Sequence, residues 1–306
     1  MNVPLVTVDA VVFAKDGQFI PGLKKENFRV SEDGVPQQIT AFNQAQAPIT
    51  VAMLIEFASS NYTTAFLSDA LHAAYAFTDG LRKDDWVALI EYDMKPNILL
   101  DFTQDKTAVL RALSRMRSPG FSERNLFDAL YDTLDRMALV KGRKVVLVIG
   151  TGIDSFSKKS YDQVLKKIKQ TEDVRIFTIS TGRAFNEWYD ANYGRTVGGQ
   201  IRSLNYLQAD SQMETFAKLT GGRWYNPRFQ TEFADIFRDV SDAARQQYTL
   251  SYTPSNQKLD GTYRKLTVEL VDPQTGQPLV IRDRKNKELK YTIISRQGYT
   301  ARRTVE

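Results

Sequence analysis

Cysteine is absent from this 306-residue chain, and histidine occurs once, as His72. The first absence excludes a disulfide framework, a thiolate metal site and a cysteine nucleophile. The second weakens any mechanism built on an imidazole base or an imidazole-rich zinc centre. His72 itself lies between Leu71 and Ala73 in an apolar-periodic stretch and reads as an ordinary helix residue. No apolar run reaches about eighteen residues, so no transmembrane segment is expected. Met1 is followed almost at once by strand-like sequence, without a charged and apolar leader, so no export signal is read in this chain. Gly80, Gly152, Gly182 and Gly221-Gly222 are scattered as helix ends and loop openers, and none builds a spaced phosphate-binding fingerprint. Charge of one sign is lacking too. With 41 basic against 36 acidic residues the net charge is +5, which describes a mixed surface, so nucleic acid is not an expected partner.

What is present is a chain that changes register twice. Val6, Val8, Ala10 and Val12 alternate with Thr7, Asp9 and Val11 as a strand does, and Asp16-Gly17 supplies a turn. Phe28 to Val30 and Gln38 to Phe42 flank Asp33-Gly34, a second hairpin signal. From Val51 strands alternate with helices. Val51 to Ile55 is a continuous apolar run, as a parallel strand buried on both faces requires. Helical spacing follows in Phe66 to Leu81, then a strand at Trp86 to Glu91 and an antiparallel edge strand at Asn97 to Phe102. Val109 to Met116 and Leu126 to Met137 predict helices, and Lys144 to Ile149 a further buried strand. A helix at Tyr161 to Thr171, a strand at Val174 to Ser180, a long loop from Thr181, a helix at Met213 to Leu219 and a helix through Phe233 to Ala244 complete this part. β alternation returns at Tyr248 to Tyr252, Leu266 to Leu270, Leu279 to Arg282 and Tyr291 to Ser295.

Repeated strand–helix alternation predicts an α/β fold with a doubly wound, mostly parallel, Rossmann-like sheet. Each β-rich end has too few strands for a core of its own. The expected organisation is therefore a discontinuous β-sandwich of residues 1–46 plus 247–300, an α/β domain at 47–246 inserted into it, and a tail at 301–306. The alternative is two small β extensions packed separately on the α/β domain.

The stretch T-V-A-M-L-I-E-F-A-S-S-N, Thr50 to Asn61, resembles the first strand and loop of a von Willebrand factor type A (vWA) domain. The segments N-L-F-D-A-L-Y-D, A-K-L-T-G-G-R-W-Y, Y-T-L-S-Y-T-P and the terminal R-Q-G-Y make the whole chain similar to vWA-related proteins common in acidobacteria. That resemblance implies a non-enzymatic protein-binding or adhesion module, exported or secreted. It also implies a metal-ion-dependent adhesion site, where an Asp-x-Ser-x-Ser turn, a threonine and a distant aspartate hold Mg²⁺ or another divalent cation.

In this chain that set is degenerate. The matching positions hold Glu56, Ala58, Ser60, Arg124 and Thr151, and only Ser60 retains the family's residue type. Mg²⁺ demands near-octahedral oxygen ligands, and Ala58 and Arg124 offer none. The expectation is a Glu56–Arg124 ion pair in place of the cation, steadied by Ser59, Ser60 or Thr151, so that no metal or other cofactor is held. The competing readings are loops that have drifted into solvent, or an ion rescued by Glu56 and Asp154. Carboxylate pairs such as Asp84-Asp85 suggest no acid–base machinery, and no catalytic residue is assigned.

Partner binding is expected at Ser59, Tyr62, Arg124 and Asp154 on the top loops, and at Trp188, Tyr189 and Tyr193 in the loop from Arg183 to Leu207. That loop also carries Arg195 and Arg202, and these residue types are enriched at interface hot spots. The alternative role is a structural or assembly subunit whose sandwich edges pair with other chains, self-association included. The basic turn Arg282, Arg284, Lys285, Lys287 and Lys290 reads as a solvated hairpin tip.

Overall fold

A computed structural model describes residues 5–15, 19–44, 48–58, 71, 74–75, 77–116, 121–171, 173–181, 197–228, 231–282 and 286–301, with side chains omitted for 197–203. The chain divides into two compact units. One comprises Met1–Ala47, Lys218–Gly222 and Arg245–Glu306, the other Pro48–Ala217 and Arg223–Ala244.

The first unit is a β-sandwich assembled from both parts of the chain. Its first sheet runs β15 (Tyr291–Ser295), β1 (Val6–Ala14), β11 (Tyr248–Tyr252), β4 (Ile39–Asn43). The second runs β16 (Gly298–Thr300), β12 (Tyr263–Leu270), β2 (Phe28–Glu32), β3 (Val35–Gln37), and β13 (Ile281–Arg282) pairs separately with β14 (Glu288–Leu289). All pairings in both sheets are antiparallel. Burial alternates along β12 with period two, so Leu266, Val268 and Leu270 enter the core with Val30 and Phe28 from β2. Val8, Val12, Leu250 and Tyr252 meet them from the first sheet. Within this core Glu32 accepts hydrogen bonds from Arg264 Nη1 at 3.1 Å, Tyr252 Oη at 2.6 Å and Tyr299 Oη at 2.8 Å. A buried carboxylate is tolerated because charge and hydrogen bonds are both supplied.

The Asp33-Gly34 turn forms, with both residues at positive φ, 49° and 83°. Its return strand differs from the sequence expectation. The partner of β2 is Val35–Gln37, and Ile39–Asn43 crosses to the other sheet to pair with β11. The turn signal specifies a reversal, whereas the sheet that the next segment joins is decided by its apolar partners. The expected tail also begins inside the fold, where the buried Ala301 donates its amide to Thr262 O at 2.9 Å. The turn at Asp16-Gly17 lies outside the described residues.

The second unit holds a six-stranded sheet in the order β10 (Trp224–Tyr225), β9 (Val174–Ser180), β8 (Arg143–Gly150), β5 (Ile49–Glu56), β6 (Trp86–Tyr92), β7 (Pro96–Thr103). Every pair is parallel except β6–β7, which forms the antiparallel edge. β5 is buried at all its residues, as a central strand covered on both faces must be. The helices are α1 (Lys106–Arg115), α2 (Leu126–Ala138), α3 (Tyr161–Gln170), α4 (Val197–Thr220) and α5 (Glu232–Arg245). α2 buries Leu126, Leu130, Leu134 and Met137 at helical spacing. Phe216 of α4 packs on Phe127 and Tyr161, while Phe237 of α5 packs on Phe77.

α4 starts sixteen residues earlier than the expected helix at Met213. V-G-G-Q is a poor helix opening by propensity, and Leu204 and Leu207 are exposed, which hides the amphipathic period. Consequently residues 197–207 belong to a helix and not to the long loop.

Candidate functional site

The carboxyl end of β5 lies at a topological switch point. The sheet grows one way from β5 to β6 and the other way to β8, which opens a crevice at the strand ends. Register places Glu56 opposite Tyr92 of β6 and aligns Ile55 with Ile149 of β8, so Gly150 and Thr151 reach Glu56 from the other side. Gly150 is needed there for lack of room. A Cβ on it would stand 2.6 Å from Tyr92 Oη and 2.7 Å from both Glu56 Cβ and Glu56 Oε2.

Both oxygens of Glu56 are engaged. Arg124 Nε donates to Oε1 at 2.7 Å. The Thr151 amide and hydroxyl donate to Oε2 at 2.6 and 2.7 Å. The side chains are 3% exposed for Glu56 and 15% for Arg124, so the pair is largely withdrawn from water. Burial disfavours the Arg124 charge, but the charge and hydrogen bond of Glu56 outweigh it, with Tyr206 and Tyr92 adding to them, and the guanidinium pKa is raised above its ordinary value. Arg124 is therefore a fixed cation beside the Glu56 carboxylate.

The loop that carries Arg124 is held by the loop after β8. Arg124 N–H donates to Ser155 Oγ at 2.9 Å, and Arg124 O accepts from the amides of Ser155 at 2.9 Å and Phe156 at 3.0 Å. Asp154 turns inward: its Oδ1 accepts from the Phe127 amide at 3.0 Å and from Ser157 Oγ at 2.5 Å. It thus neutralises a donor at the start of α2, where backbone amides lack intrahelical partners. Asp128 accepts from the amides of Lys158 at 3.0 Å and Lys159 at 2.7 Å, closing the same junction.

Gly152, at φ +76°, lets α4 approach this loop, since a Cβ there would meet Met213 Cγ at 2.7 Å. Ala58 is buried and contributes no side-chain oxygen. Ser59, Ser60, Tyr62, Trp188, Tyr189, Tyr193 and His72 lie outside the described residues, as do Arg183 and Arg195.

Among the described residues, the donors around Glu56 do not fit a divalent cation. One Glu56 oxygen faces a guanidinium and the other faces two hydrogen-bond donors, which leaves a cation repelled and under-coordinated. Among the described residues no group of three or more His, Asp or Glu side chains could hold a metal.

Two exposed side chains that the sequence does not single out lie on the loops that carry and hold Arg124. Phe121 and Phe156 are 48% and 53% exposed. Each is tied to Arg124 through its neighbours, because Arg124 Nη1 donates to Ser122 O at 3.3 Å and Arg124 O takes the Phe156 amide. Isolated loop aromatics carry no periodic signal, and only their position beside the N-L-F-D and G-T-G-I-D segments could have drawn attention to them.

An open, mostly parallel sheet with a polar site at its switch point defines a Rossmann-like α/β domain. Residues 57–193 match the von Willebrand factor type A domain profile. Among solved structures, proximal thread matrix protein 1 from the mussel byssus aligns at TM-score 0.50 and 13% identity, over 70% of this chain and 51% of that one. A von Willebrand factor type A protein from Catenulispora acidiphila aligns at TM-score 0.49 and 10% identity, over 88% of this chain and 73% of that one. The conserved hypothetical protein BatB from Bacteroides thetaiotaomicron aligns at TM-score 0.48 and 15% identity, over 64% and 98%. No curated protein matches the sequence. No helix among the described residues is long and apolar enough to cross a membrane.

Proposed function

We propose that this protein is a non-enzymatic, protein-binding module whose vWA domain works without a divalent ion, through the loops around Glu56, Arg124 and Thr151. The observation that carries this reading is the full engagement of the Glu56 carboxylate by Arg124 and Thr151. A cation's role in holding three loops together passes to an internal ion pair, leaving the surface above it for a partner. The exposed Phe121 and Phe156 support a protein partner, since aromatic anchors dominate protein interfaces. Tyr62, Trp188, Tyr189 and Tyr193 extend the proposed surface by residue type. An extracytoplasmic location follows from the sequence resemblance.

Calorimetric titration of chelator-stripped protein with Mg²⁺, Mn²⁺ and Ca²⁺ tests the metal-free reading. The natural chain should show no binding heat and no rise in melting temperature, whereas Arg124→Thr with Thr151→Asp should gain both, because an ion bound to the native state stabilises it. Binding by the natural chain that disappears in Glu56→Gln overturns the reading.

A further inference from the structure

The hairpin of β13 and β14 belongs to neither sheet of the sandwich. Leu279 and Ile281 rest against the sandwich core, so Val280 and Arg282, which alternate with them, face outward and are exposed. Tyr291 Oη donates to Leu279 O at 2.9 Å and Arg282 Nη1 to Asn286 O at 3.1 Å, which fastens the hairpin at its base and at its turn. The charge it carries is one-sided. Residues 282–290 hold five basic and two acidic side chains, a net +3 of the chain's +5. Lys15 adds to it. Its amide donates to Lys290 O at 3.0 Å, which extends the β1–β15 register one pair beyond Ala14 and Tyr291 and sets two exposed lysines opposite one another. Like charges directly opposite destabilise a strand pair. Among the described residues no carboxylate lies within ion-pair distance of Lys15, Arg282 or Lys290, Glu288 opposite Arg282 included. The folded chain by itself leaves that repulsion uncompensated.

We propose that this end of the sandwich docks on an anionic phospholipid bilayer, with Lys15, Arg282, Lys287 and Lys290 among the headgroups and Val280 in the interface. The proposal is independent of the site around Glu56, which lies in the other unit. The kind of cation selects an extended surface over a single small ligand. Three of the four are lysines, hydrated point charges without the planar fork that grips one anion, and all four are exposed. Such groups suit a diffuse field of phosphates, where each basic residue strengthens binding about fivefold and the attraction fades within a Debye length. Val280 separates a bilayer from a soluble polyanion. It is 54% exposed beside these charges, and an apolar side chain gains little against a hydrated polymer but is buried at a headgroup and acyl boundary.

The test sediments the full chain, in chelator, with vesicles of phosphatidylcholine alone and of phosphatidylcholine with an equal amount of phosphatidylglycerol. The chain should pellet with the anionic vesicles at low salt, stay in solution with the neutral ones, and be released as salt is raised. Lys15→Gln with Lys290→Gln should lower the partition coefficient about 25-fold. Its urea midpoint should not fall, because the substitution also removes the repulsion. Lys83→Gln with Lys141→Gln makes the same change in net charge at exposed lysines of the other unit and should leave partitioning nearly unchanged. Since the chain has no cysteine, Val280→Cys accepts an environment-sensitive fluorophore at that position alone. Its emission should shift to the blue on anionic vesicles and not with soluble heparin. Failure to pellet with anionic vesicles at low salt overturns the proposal. Equal losses from the two lysine pairs also overturn it, since net charge then explains the binding. A label that stays unshifted on bound vesicles overturns docking at the bilayer and assigns the patch to a polyanionic polymer.

Discussion

Thr151 donates twice to a single oxygen of Glu56, through its backbone amide at 2.6 Å and its hydroxyl at 2.7 Å. The amide is fixed by the chain, so the hydroxyl is the part that mutation can remove. Thr151→Val keeps the shape and deletes one buried hydrogen bond to a charged group, which should cost about 1.5–3 kcal/mol. The urea midpoint measures it, and Thr151→Ser should sit close to the natural chain.

Removing the cation should do more damage than removing the whole pair. Arg124→Met leaves Glu56 buried without its counter-charge and should cost about 3–5 kcal/mol. Arg124→Met combined with Glu56→Met should lose considerably less, because no orphaned charge remains. A double-mutant cycle in urea gives the coupling directly, and additive losses would contradict a paired site.

Gly150→Ala forces a methyl group into the space between Tyr92 Oη and Glu56. The expected destabilisation is about 1–3 kcal/mol, as for other overpacked sites. Calorimetric melting is a sufficient readout, and an unchanged transition would mean that the strand end is looser than described.

In the sandwich, burial and the Glu32 carboxylate push the phenol of Tyr299 up to about 12. An acid whose folded pKa lies above its unfolded value near 10 contributes stability that is complete below pH 10. As pH rises from about 10 to 12 the unfolded chain loses the proton first, and that contribution is lost. Tyr299→Phe should therefore flatten the alkaline fall in urea stability across that interval, at the cost of one hydrogen bond at neutral pH.

The architecture was legible wherever burial dictates pattern. The apolar run of β5, the helical spacing of α2 and the alternation of β12 each report the face they turn to the core, and each lies where its sequence places it. What escaped is decided by partners distant in sequence. Val35–Gln37 and Ile39–Asn43 differ little as strings, yet they enter different sheets. The sequence pattern shortens α4, because two glycines and exposed leucines mask its first turns. At the site, substitution of the ligand positions pointed to the pairing of Glu56 with Arg124, whereas the inward turn of Asp154 and the exposure of Phe121 and Phe156 depend on loop geometry that no spacing encodes.

The first sheet places β1 between β11 and β15. Asp9 accepts from Thr249 Oγ1 across a separation of 240 residues. On a ribosome, which adds about 5–20 residues per second, β1 must wait many seconds for either neighbour while the α/β segment is made and can fold. An apolar strand that lacks both β11 and β15 for that interval, with only the local bridge from Phe19 and Ile20 to cover it, is exposed to aggregation. Sheltering Val6–Ala14 during synthesis is therefore expected to raise the yield of folded protein.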